Sequence, residues 1–424
     1  MSKIKINTIS GLLMGITMLL ITLLGFTPSL RLGTGNLYLV ICFLVVLVVL
    51  LNINTTGFRQ NKPLFVSVCA YIIMVLSYKV LNISTASNIT VFRHFFFFVP
   101  ILLMPLIPEY FSNRKKLILL MVGLMLYVAA DNIIDNIRLC LKHPELFLMV
   151  NRDMKVGDME GLGNIGGSQW YNSIFFFFLI CFFAYLNIGT KIVKNILLAI
   201  SVLSAVFLLL FCLKASVIVF TLLSIILLIS AKRVKNVHRL IVSLLFVYLF
   251  VFLIVGLYAD ELTEMLQSMI TSDRLLGRLI MLIDPESAEA SAGTGTMNAR
   301  SELWMESINT WLSSPDNFLL GIGAPPTSDI HAGVGQHSDL FDSLARYGLI
   351  GSFLIFNSLR MGYKYIQTLL GEKERPQLFA MAMLFVLFSA TKGVFNPAIG
   401  SSLFLLLPLL SLFVENEKIE QSDN

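Results

Sequence analysis

The chain has 424 residues, of which 56% are hydrophobic and only 13% charged, with a mean hydropathy of +0.81. Soluble domains carry about 25% charged residues, so this composition excludes a soluble enzyme and points to an integral membrane protein. The net charge of +5 resides largely in short loops and excludes a nucleic-acid-binding surface.

A helix needs about 20 apolar residues to cross a bilayer. On that criterion about twelve spans are predicted, near 9–29, 36–53, 64–81, 91–108, 117–135, 170–188, 195–213, 215–231, 240–258, 347–365, 377–393 and 400–414. The first belongs to "MSKIKINTISGLLMGITMLLITLLGF". Its apolar stretch is too long for a cleaved signal and no small-x-small cleavage site follows, so an uncleaved first helix is expected. Two Phe runs, Phe95 to Phe98 and Phe175 to Phe178, are ordinary in lipid and carry no chemistry by themselves. The last two spans are separated by "TKGVFNPAIG", where Asn396 and Pro397 predict a turn. The five cysteines have no metal or disulfide spacing.

Lys and Arg mark the cytoplasmic loops of a membrane protein. They collect around Lys3 and Lys5, Arg59 and Lys62, Arg114 to Lys116, Lys191 and Lys194, Lys232 to Arg239, and Lys373 and Arg375. The intervening short loops are nearly bare of positive charge. Both termini are therefore expected in the cytoplasm. The chain divides into helices 1–9 with short loops (1–258), a large extracytoplasmic loop (259–346), and helices 10–12 with a tail (347–424). The fold class expected is an all-α polytopic membrane protein with one loop lobe.

The large loop is acidic, and all its cations are arginines: Arg274, Arg278, Arg300 and, at the membrane edge, Arg346. A guanidinium binds phosphate bidentately, which lysine cannot do. Arg274 and Arg278 share a helix face, where like charges repel unless an anion joins them. Pairing with Asp273 or Asp284, or with lipid headgroups, is the alternative. Arg300 opens "NARSELWMESINTWL", an amphipathic helix with an aromatic stripe of Trp304 and Trp311. With Asn298 as the N-cap, Arg300 falls in the first turn, where a cation opposes the helix dipole. An anion-binding role or a cation–π contact would account for it. The glycines of "SSPDNFLLGIGAPP" are expected to serve the backbone path.

In "HSDLFDSLARYGLIG", Ser338 can cap a helix beginning at Asp339. Asp342 and Arg346 stand at ion-pair spacing. The helix N-terminus keeps His337 neutral, and a neutral imidazole can accept a proton from a hydroxyl. A loop histidine bonded to a carbonyl is the bland alternative. Lys214, between the seventh and eighth spans, is either a snorkelling turn residue or a further cation for a phosphate. Lys79, Arg93 and His94 are secondary candidates.

The stretch from "R..LW..SI......PDNFLLGIGAPP" to "HSDLFDSLARYGLIG" resembles the O-antigen ligase and polymerase family. That family pairs an Arg and Trp helix and a glycine turn with a His-led entry into a membrane helix. The resemblance covers Arg300 to Gly351, and the rest only as topology. Lys214 stands where the family usually has arginine, and Ser338 where it usually has asparagine.

The resemblance implies a metal-independent, cofactor-free glycosyltransferase of GT-C-like architecture in the bacterial cell membrane. It would act on an oligosaccharide carried by undecaprenyl pyrophosphate. A polymerase moves the growing glycan onto the next lipid-linked repeat, in capsule, exopolysaccharide or O-antigen synthesis. A ligase attaches a finished glycan to another acceptor, and a flippase for the same lipid is a weaker alternative. A chain-length regulator and a flippase of the same pathway would be partners, alongside membrane lipid. His337, Arg300 and Asp339 are the expected catalytic residues; Lys214, Arg274, Arg278 and Trp304 are expected to bind substrate.

Overall fold

The computed structural model describes residues 3–27, 35–112, 114–142, 168–211, 215–234, 291–325, 333–335 and 338–422, with single positions 30, 239 and 264. Among the described residues all regular structure is helical. In chain order, α1 spans Lys3–Phe26, α2 Gly35–Leu51, α3 Thr56–Gln60, α4 Lys62–Val80 and α5 Asn88–Phe96. Then come α6 Val99–Leu103, α7 Ile107–Phe111, α8 Lys115–Lys142, α9 Ser168–Asn187, α10 Lys191–Val206 and α11 Ala215–Arg233. The last group is α12 Ser291–Leu312, α13 Pro315–Leu319, α14 Asp339–Leu369, α15 Arg375–Thr391, α16 Pro397–Ser401 and α17 Leu407–Ser422.

Among the described residues, seven helical segments are long and apolar enough to cross a membrane, and three shorter apolar helices accompany them. The predicted span at 240–258 lies outside the described residues. The surface has the character of a membrane protein. On α2, Leu39, Phe43, Val46 and Leu50 form an exposed apolar stripe, while Tyr38, Ile41, Val45 and Val48 on the opposite face are buried. On α4, Val66, Ile73 and Val80 are exposed at every second turn while Val68, Tyr71, Val75 and Tyr78 are buried. A helix apolar all round, with one apolar face left uncovered, belongs in lipid.

The stretch predicted as one span at 91–108 is instead broken into α5, α6, a 3₁₀ turn at Met104–Leu106 and α7. Pro100, Pro105 and Pro108 each lack an amide and clash with the preceding turn, so each starts a fresh segment. Both Phe runs are buried, and the first holds these pieces against the rest of the bundle. Phe97 packs on Phe385, Phe395 and Phe404, and Phe175 stacks on Phe388 at 4.9 Å.

The helix that carries the conspicuous motif, α14, bends at Gly348 (φ 59°, ψ −163°). A bend leaves carbonyls without in-helix donors, and buried carbonyls must find others. The carbonyls of Ala345 and Arg346 accept from the amides of Ile322 (2.9 Å) and Gly323 (2.8 Å). Gly321 and Gly323 themselves turn with φ of 75° and 78°, so these glycines do serve the backbone path. The two strands of chain touch backbone to backbone: a Cβ added to Gly348 would lie 2.4 Å from the Leu319 carbonyl carbon. Gly348→Ala is expected to cost roughly 2–4 kcal/mol, from left-handed strain plus overpacking. Thermal melting of the detergent-purified protein measures this, and an unchanged melt would mean the junction has slack.

Candidate functional site

The site is built at the head of α14, where three elements meet. The first is α14 itself. Ser338 caps it, its Oγ accepting from the Phe341 amide at 3.3 Å and donating to the Ser389 carbonyl at 3.1 Å. The second is α12, which packs along α14. Ser307 Oγ donates to Asp342 Oδ1 at 2.8 Å and accepts from the Gly335 amide at 2.9 Å. Asp342 Oδ2 in turn accepts from the Ser338 amide at 3.3 Å. The third is the turn between α15 and α16, whose amides reach Asp339.

Asp339 is almost enclosed, at 7% exposure. Its Oδ2 accepts from the amides of Val394 and, at 2.6 Å, Phe395. Arg346 lies beneath it, Nη1 at 4.0 Å from Asp339 Oδ1 and Nη2 at 3.7 Å from Asp342 Oδ2. The ion pair expected from the Asp342 and Arg346 spacing is therefore present, but buried and shared with a second acid. Arg346 sits in the protein interior and not at an exposed membrane edge. Asp339, expected as a catalytic carboxylate, turns inward and positions the turn that follows α15.

Burial pushes the Asp339 carboxyl up to about 6, against the opposing pull of Arg346 and the two amides. The group lies ahead of the expected membrane-spanning part of α14. A carboxyl whose folded value exceeds its ordinary value of 3.8 contributes stability at pH below about 4 and loses it as pH rises through about 6. The melting temperature of the wild type relative to Asp339→Asn should therefore fall between pH 4.5 and 7. A pH-independent difference would contradict that proton uptake.

Trp304 lies at this junction, its ring centroid 5.8 Å from that of Phe341. Its enclosed indole nitrogen has no hydrogen-bond partner among the described residues. Trp311 does a different job: it stacks on Phe318 at 5.0 Å and donates to the Phe318 carbonyl at 3.0 Å, closing the corner between α12 and α13. Helix α12 begins at Ser291, well before Asn298. Arg300 is thus within the helix and not in its first turn, so the dipole argument for its placement falls. It stands one turn before Trp304 and two before Ser307 along the same helix.

His337, Lys214, Arg274 and Arg278 lie outside the described residues. The chain on both sides of position 337 is held, by Gly335 on Ser307 and by Ser338 on Ser389. Of the secondary candidates, Lys79 donates to the Ala86 carbonyl at 2.6 Å; the side chains of Arg93 and His94 lie outside the description.

Below this polar cluster an apolar groove of about 340 Å³ runs between α14, α15 and the α16–α17 segment. Leu340 and Phe395 line one end, Phe356, Met381 and Phe385 its middle, and Tyr363 and Ile366 the other. Sequence reading missed the groove, because its walls come from segments distant in the chain. It also missed Ser307 and the amides of the 391–396 turn as anchors, since a serine in a helix and a turn backbone carry no local signal. The chain matches no family model and no curated protein.

Proposed function

We propose that the chain is a polysaccharide polymerase of the bacterial cell membrane. It transfers a growing glycan from undecaprenyl pyrophosphate onto a lipid-linked repeat unit at the outer face. The observation that carries this reading is the meeting of a polar cluster and an apolar groove at Leu340 and Phe395. A substrate with a charged head and a long apolar tail needs such a junction at the membrane surface. The groove would take part of the isoprenoid, and the segment around Arg300, Trp304 and His337 would take pyrophosphate and sugar. In this reading the chain has twelve spans, a GT-C-like architecture and both termini in the cytoplasm.

The chemistry follows from the residue types. The acceptor hydroxyl oxygen attacks the anomeric carbon, the bond from that carbon to the pyrophosphate oxygen breaks, and the anomeric centre inverts. Arg300, with Arg274, Arg278 and Lys214, compensates the charge developing on the departing pyrophosphate. His337 takes the hydroxyl proton. Trp304 offers its ring face to a sugar. Asp339 serves as a positioning residue.

The test is the length distribution of surface polysaccharide in a deletion strain complemented with wild type or Arg300→Ala. Single lipid-linked repeats in the deletion, with long chains restored by wild type alone, are the expected result. Long but unattached chains in the deletion would replace polymerase with ligase. Normal chains without the gene would overturn both.

A further inference from the structure

The turn between α15 and α16 belongs to the end of the molecule that carries Ser338, yet it contains a lysine. Short loops outside the cytoplasm carry little positive charge in membrane proteins generally; here "NISTASNIT" (82–90) has none, and Lys214 is the other exception. Lys392 departs from that pattern and is half-buried. Its carbonyl faces the Asp339 amide at 3.5 Å, so its backbone lies against the head of α14.

The turn is also anchored from two sides. From α14, the Asp339 carboxylate holds the Val394 and Phe395 amides. From α9, Asn172 donates to the Gly393 carbonyl at 2.8 Å and Ser173 donates to Asn396 Oδ1 at 3.2 Å. Asn396 then caps α16 through the Ile399 amide at 3.0 Å. A buried carboxylate committed to two amides is an expensive way to fix a loop, and a fixed loop presents its side chains with little ordering cost. What this one carries, beside the entrance of the groove at Phe395, is a cation.

We infer that Lys392 is an anion-binding residue of the outer-face site, supplying a positive charge to the diphosphate of the lipid-linked substrate. Asp339 acts through it as the positioning residue. This rests on the proposed function, since the diphosphate is the substrate's. The ammonium contributes as a compact point charge that complements the planar arginine forks. It is a binding role: no bond to Lys392 forms or breaks.

The experiment uses the full-length protein in detergent with undecaprenyl diphosphate as the probe. Lys392→Gln is expected to weaken binding by about tenfold or more, the worth of one hydrogen bond to a charged group. Lys392→Arg should remain within about threefold of wild type. If Lys392→Gln misfolds, the wild type still decides the matter: undecaprenyl diphosphate should protect Lys392 from an amine-reactive reagent, followed by peptide mass spectrometry. Wild-type binding with an unaffected Lys392→Gln, or with no protection, overturns this inference and leaves the proposed function standing. No binding by wild type overturns the proposed function, and this inference with it.

Discussion

An Arg346→Leu protein is expected to accumulate poorly in the membrane and to melt far below wild type. The substitution leaves Asp339 and Asp342 facing each other in a site where they are 7% and 2% exposed. Removing one partner of a buried ion cluster costs about 3–5 kcal/mol, because the remaining charge stays desolvated. Against a typical total of about 5–15 kcal/mol, that is a large share. The two acids cannot relax easily. One is tied to the Val394 and Phe395 amides, the other to Ser307 and Ser338. The prediction therefore has a second half: Arg346→Leu combined with Asp339→Asn and Asp342→Asn should recover much of the loss. At 339 the amide oxygen can still accept from both turn amides; at 342 it can accept from the Ser338 amide while the amide NH2 donates to Ser307 Oγ, and no net charge is left behind. Membrane yield and melting temperature measure both halves. A stable single variant would show that water reaches the cluster.

If the chain is the proposed polymerase, replacing His337 by alanine is expected to lower glycan transfer by about 10²–10⁴-fold, the range for a positioned general base, while the melting temperature stays near wild type. Arg300→Ala should fall as steeply, and by a different route. Loss of a base leaves donor binding intact and lowers the rate at saturating donor; loss of the guanidinium weakens pyrophosphate binding as well as leaving-group stabilisation. Purified protein with lipid-linked repeats separates the two. Equal transfer by both variants and wild type would remove the site from this end of the molecule.

The apolar runs made the membrane helices legible, because a span is little more than length and hydropathy. The same criterion gave no hint that the helix over 91–108 is interrupted, since Pro100, Pro105 and Pro108 barely change hydropathy yet start fresh segments. At the site, the Asp342 and Arg346 pair followed from spacing on one helix, and the Ser338 cap from residue type. Asp339 was legible as a helix-head acid and read as catalytic. Its real partners lie at Val394 and Phe395, more than fifty positions away, where no local pattern reaches. The aromatic stripe of α12 was legible as a stripe. Its division of labour, with Trp311 closing a corner and Trp304 beside Phe341, required the packing.

The junction at Gly348 bears on how such proteins can be recombined. Hydropathy would place the border between the predicted loop lobe and the membrane body just before Tyr347. The hydrogen bonds from Ile322 and Gly323 to Ala345 and Arg346 cross that border. The opening turns of α14 thus belong to the lobe, and the module ends at the bend. A chimera exchanging the lobe with a homologue should carry residues through Gly348; cut before Tyr347, it would join a glycine turn to a bend shaped for another partner.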